Sequence, residues 1–302
     1  MEKKRLVIWG EFKDYEIYLP SFRLGEWKGN IEIVAVIFLD ERVVKRVDGY
    51  PVITVEELLG ITFDYVIGLE NELAEDMIKI LGMMQISREK FLVGRIFNLP
   101  DFDFEQYLRL RESRISIISD NCWGGLTYHS LDYPFLSPFI NMYVKEGDFG
   151  KLMTSFSDYM QMPLEFVRTE LNTIKGNVYP VCHIGDVEIH CNHYESFEQA
   201  KAVWDARKRR LNYQNIFVKM TIETEKELEE FRKIPQRKIG FSIIPAEDKD
   251  IIDCSGMMNY IQEKYLGFWD FVNGQARSDR VDLKHYNVLK LLLGEKDYKR
   301  TE

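Results

Sequence analysis

The chain has 302 residues, of which 45% are hydrophobic and 13% aromatic, and it carries a formal net charge of −9. This apolar content excludes wholesale disorder, and the acidic balance is the wrong sign for a chain whose main partner is nucleic acid. There is no apolar run of membrane-spanning length and no leader pattern, so we expect a cytoplasmic protein with no membrane span. The length favours two domains.

The first hundred residues alternate between strand and helix patterns. Continuous apolar runs predict four strands, each covered on both faces, over residues 5–9, 31–39, 64–69 and 90–94. Helices are predicted between them over 55–59 and 72–83. Strands that alternate with helices form a parallel sheet. A helix predicted over 104–111 leads out of this unit, so we divide the chain into residues 1–110 and residues 111–302.

The second unit shows the same two patterns and one hairpin. Its predicted elements are strands over 114–119, 139–144, 216–222 and 238–244, a hairpin from 178–183 and 187–193, and helices over 148–160, 196–211, 225–233 and 282–293. The predicted fold class is therefore α/β, with two Rossmann-like units of mainly parallel sheets, the second containing a β-hairpin.

The first predicted strand ends at Gly10, where a dinucleotide-binding turn would continue with glycines at positions 12 and 15. These positions hold Phe12 and Tyr15. Without the glycines the backbone cannot approach a pyrophosphate. We therefore predict a degenerate Rossmann-like domain that binds no dinucleotide, and we expect no cofactor.

Residues 119–125, Ser-Asp-Asn-Cys-Trp-Gly-Gly, follow a predicted strand at the edge where open α/β sheets bind ligands. Cys122 supplies a thiol, Asn121 a short polar side chain, and Gly124 with Gly125 allows a sharp exposed turn. This order is typical of a nucleophile elbow, although the Gly-x-Ser-x-Gly pattern is absent. The alternative is a tight turn with a buried, inert cysteine.

Seven of the nine Cys and His residues fall between positions 122 and 193, which suggests a metal site. In an extended strand over 187–193, however, His190 and His193 face opposite sides and cannot share an ion without a bulge. We therefore expect no metal. His193 lies on the apolar face of that strand and is the general-base candidate.

Arg207 falls within the apolar stripe of the helix predicted over 196–211. A guanidinium on a buried face must meet a carboxylate, a phosphate or water. One interpretation is a core ion pair or a side chain that reaches outward to solvent. The other is an anion clamp that faces the site.

Four ordered segments, residues 118–125, 135–141, 186–194 and 204–212, resemble an uncharacterised bacterial family whose members are commonly labelled exopolysaccharide-biosynthesis proteins. The N-terminal unit is similar to the degenerate Rossmann-like domains that precede capsule and sugar-modifying enzymes. The family pattern carries over to Asn121, Cys122, Gly124, Gly125, Tyr128, Ser137, Pro138, Asp186, His193, Tyr194, Trp204, Arg207 and Arg210. The sequence departs from that pattern at Asp120, where Asn is more usual, and at Phe139, where Thr is common.

The leading hypothesis from the residues and the resemblance together is a transferase that acts on a sugar, nucleotide-sugar or polysaccharide intermediate in cell-surface polysaccharide biosynthesis. One alternative is a non-catalytic carbohydrate-binding or scaffold protein. Another is a cysteine-dependent hydrolase or acyltransferase, with Cys122 as nucleophile and His193 as base. A homodimer is left open. We expect the site residues to converge on one cleft; the catalytic ones are Cys122, His193 and Asp186, and the substrate-binding ones are Asn121, Gly124, Gly125, Tyr128, Tyr194, Arg207 and Arg210.

Overall fold

The computed structural model describes residues 3–40, 44–70, 72–173, 176–277 and 286–299. Its first sheet, here called the N-terminal sheet, is wholly parallel, and its strands lie in the order Ile31–Phe38, Lys4–Gly10, Tyr65–Gly68 and Phe91–Val93. These are the four strands predicted there from continuous apolar runs. A two-stranded ribbon, Arg46–Val47 with Tyr50–Pro51, lies beside them.

The helices of this unit differ more from the prediction than its strands do. The prediction omitted the helix Phe12–Lys28, which is the longest of the described helices and forms the crossover between the first two strands. Pro20 lies within it, and its buried side chains are two tyrosines and one phenylalanine, so the sequence lacks a strong apolar stripe. The remaining elements are the helix Ala74–Met83 and the 3-10 turns Glu56–Gly60, Arg88–Lys90 and Gly94–Asn98.

A second parallel sheet, here called the C-terminal parallel sheet, has the strand order Ile251–Asp253, Arg237–Ser242, Ile216–Ile222 and Ser116–Ser119. The mixed architecture confirms the predicted α/β class. The helices associated with this half are Phe104–Ser113, Trp123–Ser130, Phe197–Lys208, Glu225–Lys233, Met258–Lys264, Phe268–Gly274 and Val288–Leu293, with a 3-10 turn over Ser255–Met257. Of the helix predicted over 282–293, residues 282–285 lie outside the described residues.

A third sheet is antiparallel, with the strand order Tyr143–Val144, Val187–His190, Val178–Ile184 and Glu165–Leu171. The predicted hairpin is confirmed, and Gly185 takes a left-handed φ of 60° in its turn. Two predictions here are wrong, and one strand was missed. Of the strand predicted over 139–144, only the last two residues, Tyr143–Val144, form a strand. The helix predicted over 148–160 is divided into two short helices, Phe149–Thr154 and Phe156–Tyr159. The strand Glu165–Leu171 was not predicted, because most of its residues are exposed and it lacks an apolar run.

The two halves share apolar packing. One cluster of buried side chains includes Leu6 and Ile8 from the N-terminal sheet and Ile117 and Trp123 from the other half. The placement of a domain boundary at residue 110 stays a prediction. None of the helices in the described part of the chain combines the length and apolarity that a bilayer crossing requires.

Candidate functional site

The strand Ser116–Ser119 delivers three polar residues to the carboxyl edge of the C-terminal parallel sheet. Asp120 and Asn121 are buried, and Cys122 is the N-cap of the helix Trp123–Ser130. The Leu126 amide bonds to the Cys122 carbonyl at 3.0 Å, which closes the first turn of the helix. The thiol therefore lies where a parallel strand passes directly into a helix, which is the usual ligand-binding position in such sheets.

The glycine turn predicted at Gly124 and Gly125 is wrong, because both residues lie in the first turn of this helix. Their small size serves close packing instead. A Cβ on Gly124 would lie 3.1 Å from the Cβ of Ser119, and one on Gly125 would lie 3.3 Å from Cγ2 of Ile140. Gly124 thus lets the helix approach the strand from which it emerges, and Gly125 lets it approach the segment that carries Ile140.

Cys122 and His193, separated by 71 residues in sequence, meet in the structure with Sγ 3.9 Å from Nε2. Cys122 is partly buried and His193 is exposed. The strand predicted to run to His193 ends at His190, so the prediction that His193 lies on its apolar face is wrong. His193 lies in a turn that the Tyr194 amide closes by bonding to the Cys191 carbonyl at 3.0 Å.

A buried ammonium lies behind the thiol. Lys219 has no exposed surface, and its Nζ donates three hydrogen bonds, to Asp120 Oδ1 at 2.7 Å, Asn121 Oδ1 at 3.0 Å and Thr221 Oγ1 at 2.6 Å. The three acceptors match the three protons of an ammonium group. The second Asp120 oxygen accepts from the Thr221 amide at 2.6 Å. The network fixes the loop that leads to Cys122.

Burial lowers the pKa of Lys219, and the neighbouring Asp120 carboxylate opposes that effect most strongly. The charges of Cys122 and Glu223 act on this pKa in the same direction as that of Asp120, but more weakly. Burial raises the pKa of Glu223, whose Oε1 accepts a hydrogen bond from Trp269 Nε1 at 2.8 Å.

Lys219 is the main residue of this region that sequence reasoning missed. It is the one charged residue in the strand Ile216–Ile222, whose seven residues are all buried. A lysine inside an apolar run predicted to be covered on both faces must have partners. That signal was present in the sequence and indicates a buried polar network.

Arg207 and Tyr194 form a second polar group near the turn of His193. Arg207 Nη1 donates to the Tyr194 hydroxyl at 2.8 Å and to the Ile140 carbonyl at 3.2 Å. The Tyr194 hydroxyl donates to the same carbonyl at 2.9 Å. The guanidinium lies over the Phe135 ring, 5.1 Å from its centroid. Its partners among the described residues are thus neutral oxygens and a ring, and they fit neither the predicted core ion pair nor a side chain directed outward.

The structure does not bring the remaining predicted residues to the thiol. Asp186 lies in the hairpin turn, at the opposite end of the strand Val187–His190 from His193. Its carboxylate accepts from Tyr159 at 2.6 Å and from Lys151 at 3.1 Å. Arg210 is exposed and bonds to the Ala206 carbonyl of the helix that precedes it.

Tyr128 is buried beneath the site helix. Its hydroxyl accepts from the Ile117 amide at 2.7 Å and donates to the Ile115 carbonyl at 3.2 Å. These bonds tie the helix Trp123–Ser130 to the strand that precedes it. Tyr128 therefore has a structural function, and its hydroxyl is already engaged with the backbone.

The Cys and His residues of the hairpin are engaged with one another or with carboxylates. Cys182 and Cys191 are buried with their sulfurs 3.8 Å apart, and neither is in a disulfide. His190 Nε2 lies 3.1 Å from Glu188 Oε1. Among the described residues, one group comes close enough to share a cation, and it is acidic: Glu11, Asp14 and Glu70, with one oxygen of each within 4.8 Å of the others. The expectation of no metal stays a prediction.

Comparison with known proteins identifies both halves of the chain as similar to described families. The family model "Domain of unknown function (DUF1919)" matches residues 93–283, and the model "C2185-like, N-terminal" matches residues 2–92. An uncharacterised protein of Haemophilus influenzae is 36% identical over 162 residues, which are 52% of this chain and 71% of the relative. The predicted resemblance to a family of unknown function is confirmed. None of these descriptions carries the exopolysaccharide label, which stays a prediction.

Proposed function

The chain belongs to the DUF1919 family, and we propose that it is a cysteine-dependent hydrolase or acyltransferase in which Cys122 is the nucleophile and His193 its base. The observation that supports this proposal is the 3.9 Å approach of Cys122 Sγ to His193 Nε2 at the start of a helix. A neighbouring histidine and a helix N-terminus are the two features that most often favour a thiolate over a thiol. Cys122 has both.

The reaction follows from this pair. His193 Nε2 accepts the Cys122 proton, and Sγ attacks an acyl carbonyl to form a carbon–sulfur bond. The imidazolium then returns the proton to the leaving group, whose bond to the acyl carbon breaks. A water molecule or an acceptor hydroxyl, deprotonated by the same imidazole, attacks the thioester. The collapse of the second tetrahedral intermediate releases Cys122, which regains its proton.

Backbone amides at the helix start can stabilise the oxyanion of this reaction. The first amides of a helix have no intrahelical acceptor. The Trp123 amide bonds to Asn121 Oδ1 at 3.1 Å, and the Leu126 amide is bonded within the helix. The Gly124 and Gly125 amides between them are therefore the donors that we assign to the oxyanion. Lys219 acts as a positioning residue, since it holds Asn121 and Asp120 in place.

The experiment is to detect acylation of Cys122. The protein is incubated with p-nitrophenyl acetate and with acetyl thioesters, and the adduct is located by peptide mass spectrometry. We expect a 1:1 acetyl adduct on Cys122 and turnover that is lost in Cys122→Ser. His193→Gln should slow acylation by about 100-fold or more. His129→Gln is the matched control, because His129 is an exposed histidine in the last turn of the same helix, at the end far from Cys122.

Two results would contradict this proposal. One is turnover in Cys122→Ser equal to that of the wild type, and the other is acetylation of His193→Gln at the wild-type rate. Oligosaccharide binding that survives in a Cys122→Ala, His193→Ala variant, in a protein without turnover, would instead favour the carbohydrate-binding alternative.

The acceptor is a second part of the proposal. The family resemblance implies a sugar, nucleotide-sugar or polysaccharide intermediate, and acyl transfer to a sugar hydroxyl would be a group transfer of that kind. Adding sugars to the acetylated enzyme tests it. Faster loss of the adduct together with an acetylated sugar supports this acceptor class, and loss at the rate of hydrolysis alone opposes it.

A further inference from the structure

A cavity of about 860 Å³ lies at the amino edge of the C-terminal parallel sheet. Its walls are the segment that enters the strand Arg237–Ser242, the segment before Ile251–Asp253, and the chain after the helix Val288–Leu293. Cys122 lies at the other edge of the same sheet. The strand Ile216–Ile222 between the two edges spans about 20 Å. The cavity is thus a place distinct from the thiol site.

The cavity is basic in an acidic protein. Its lining contains five basic residues, Arg237, Lys238, Lys249, Lys296 and Lys299, against three acidic ones. Two of the three acids are already paired with cations that do not line this cavity. Asp297 lies 2.5 Å from Lys290, and Glu295 lies 3.5 Å from Arg109. Among the described residues that line the cavity, this leaves Asp250 to balance five positive charges.

Three of these cations, Arg237, Lys238 and Lys299, donate their hydrogen bonds to neutral oxygens. Arg237 donates to the Leu292 carbonyl at 2.8 Å and to Asn215 Oδ1 at 2.8 Å, so part of its five-proton donor set stays available. Lys299 Nζ donates to the Ile251 carbonyl at 2.7 Å.

Lys238 contributes charge rather than donors. All three of its protons go to carbonyls at the end of the helix Glu225–Lys233, those of Phe231, Arg232 and Ile234. Burial lowers the pKa of Lys238, and it also lowers the pKa of Arg237 and of Lys299. The reason is that a cation removed from water is destabilised unless an anion lies beside it.

The remaining lining residues indicate that a ligand of this cavity has an apolar part. The apolar residues Phe217, Ile234 and Leu291 also line the cavity. Concave sites with apolar walls and a few convergent polar groups are typical of small-molecule sites. We infer that this cavity binds a small organic oxyanion, a phosphate or a carboxylate with an apolar part, whose charged end is held by Arg237 and Lys299. The inference is independent of the chemistry proposed for Cys122.

The test is titration of the full chain with phenyl phosphate, benzoate and neutral benzamide, followed by calorimetry and by the amide NMR signal of Gly294 in the cavity wall. We expect both anions to bind and to shift that signal, with affinity that falls as salt rises, and benzamide to bind at least about tenfold more weakly. The two anions distinguish a phosphate ligand from a carboxylate ligand by relative affinity.

Variants locate the binding. Arg237→Gln with Lys299→Gln should weaken anion affinity by about tenfold or more. The matched control, Lys201→Gln with Lys226→Gln, removes two exposed lysines elsewhere and should leave affinity unchanged. If the first double variant does not fold, Lys249→Gln with Lys296→Gln, two exposed positions, should weaken binding about threefold.

Three results would overturn the inference: no binding of either anion at millimolar concentration, equal affinity for benzamide, or full affinity in a folded cavity variant. Cys122→Ser should bind the anions as the wild type does. Loss of turnover in that variant with retained anion binding would therefore separate the two sites, and failure of one proposal would leave the other standing.

Discussion

Two parallel sheets in this chain each contain a strand that passes directly into a helix, Lys4–Gly10 before Phe12–Lys28 and Ser116–Ser119 before Trp123–Ser130. At the first edge a Cβ on Gly10 would lie 2.6 Å from the Cβ of Leu69, and the Phe12 amide faces Asp40 Oδ1 at 3.4 Å. At the second edge a thiol meets a histidine above a buried ammonium. The same topology therefore gives two similar edges, and a few side chains decide whether an edge is closely packed or carries a cluster of polar groups.

The largest effect should come from breaking the buried network of the second edge. Lys219→Met leaves the Asp120 carboxylate buried without its ammonium, and we expect it to lower the free energy of unfolding by about 3–5 kcal/mol. Urea denaturation measures the change. Lys201→Met, in an exposed i,i+4 pair, is the control and should change it by less than about 0.5 kcal/mol. A loss below about 1 kcal/mol in Lys219→Met would show that the network does not hold this edge together.

A smaller loss should follow from overfilling the first edge. Gly10→Ala forces a methyl group against Leu69 and should destabilise the protein by about 1–3 kcal/mol. Gly82→Ala, in the helix Ala74–Met83, is the matched substitution, because nothing lies within 4 Å of the added methyl. It should stabilise by about 0.5–1 kcal/mol through helix propensity. Thermal unfolding of both variants checks the contrast, and equal effects would mean that the first edge is not closely packed.

The smallest effect concerns the acidic group of the first edge. Contact with Asp14 and burial raise the pKa of Glu70 to about 7. Because the folded state holds this proton more tightly than the unfolded state does, the contribution of Glu70 to stability is fully present below about pH 4.5 and is lost as the pH rises through 7.

Glu70→Gln should remove this loss and stabilise the protein by about 1 kcal/mol at pH 8, after allowance for solvent screening. At pH 4 the variant and the wild type should match. Unfolding free energies at the two pH values test the sign, and a gain that is equal at both would attribute the effect to something other than titration.

Much of the fold was predictable because it depends on local patterns. Strands buried on both faces are continuous apolar runs, so Ile31–Phe38 and Ile216–Ile222 were found within a residue. The capped helix Phe197–Lys208 was also found, and its Ser196 side chain accepts from the Gln199 amide. The helix Phe12–Lys28 was missed because its buried side chains are mostly tyrosines around an internal proline.

The site was less predictable because it depends on contacts between distant segments. The hypothesis that Cys122 and His193 act together follows from the chemistry of a thiol and an imidazole alone. The predicted strand over 187–193 placed His193 wrongly, however, because the strand ends at His190 and His193 lies in a turn. The partners of Arg207 are a carbonyl, a hydroxyl and a ring from other segments, which no spacing encodes. Lys219 was overlooked because its strand was interpreted by its apolar residues alone.

The proposed chemistry requires that Cys122 and His193 act as a pair, and the alkylation rate of Cys122 tests that directly. Iodoacetamide labelling is followed by intact mass and peptide mapping at pH 7 in wild type, His193→Gln and His129→Gln. The other three cysteines are buried, so labelling should fall on Cys122. We predict that His193→Gln slows labelling by about tenfold or more while His129→Gln leaves it unchanged. Equal rates in all three proteins would contradict a functional Cys122–His193 pair.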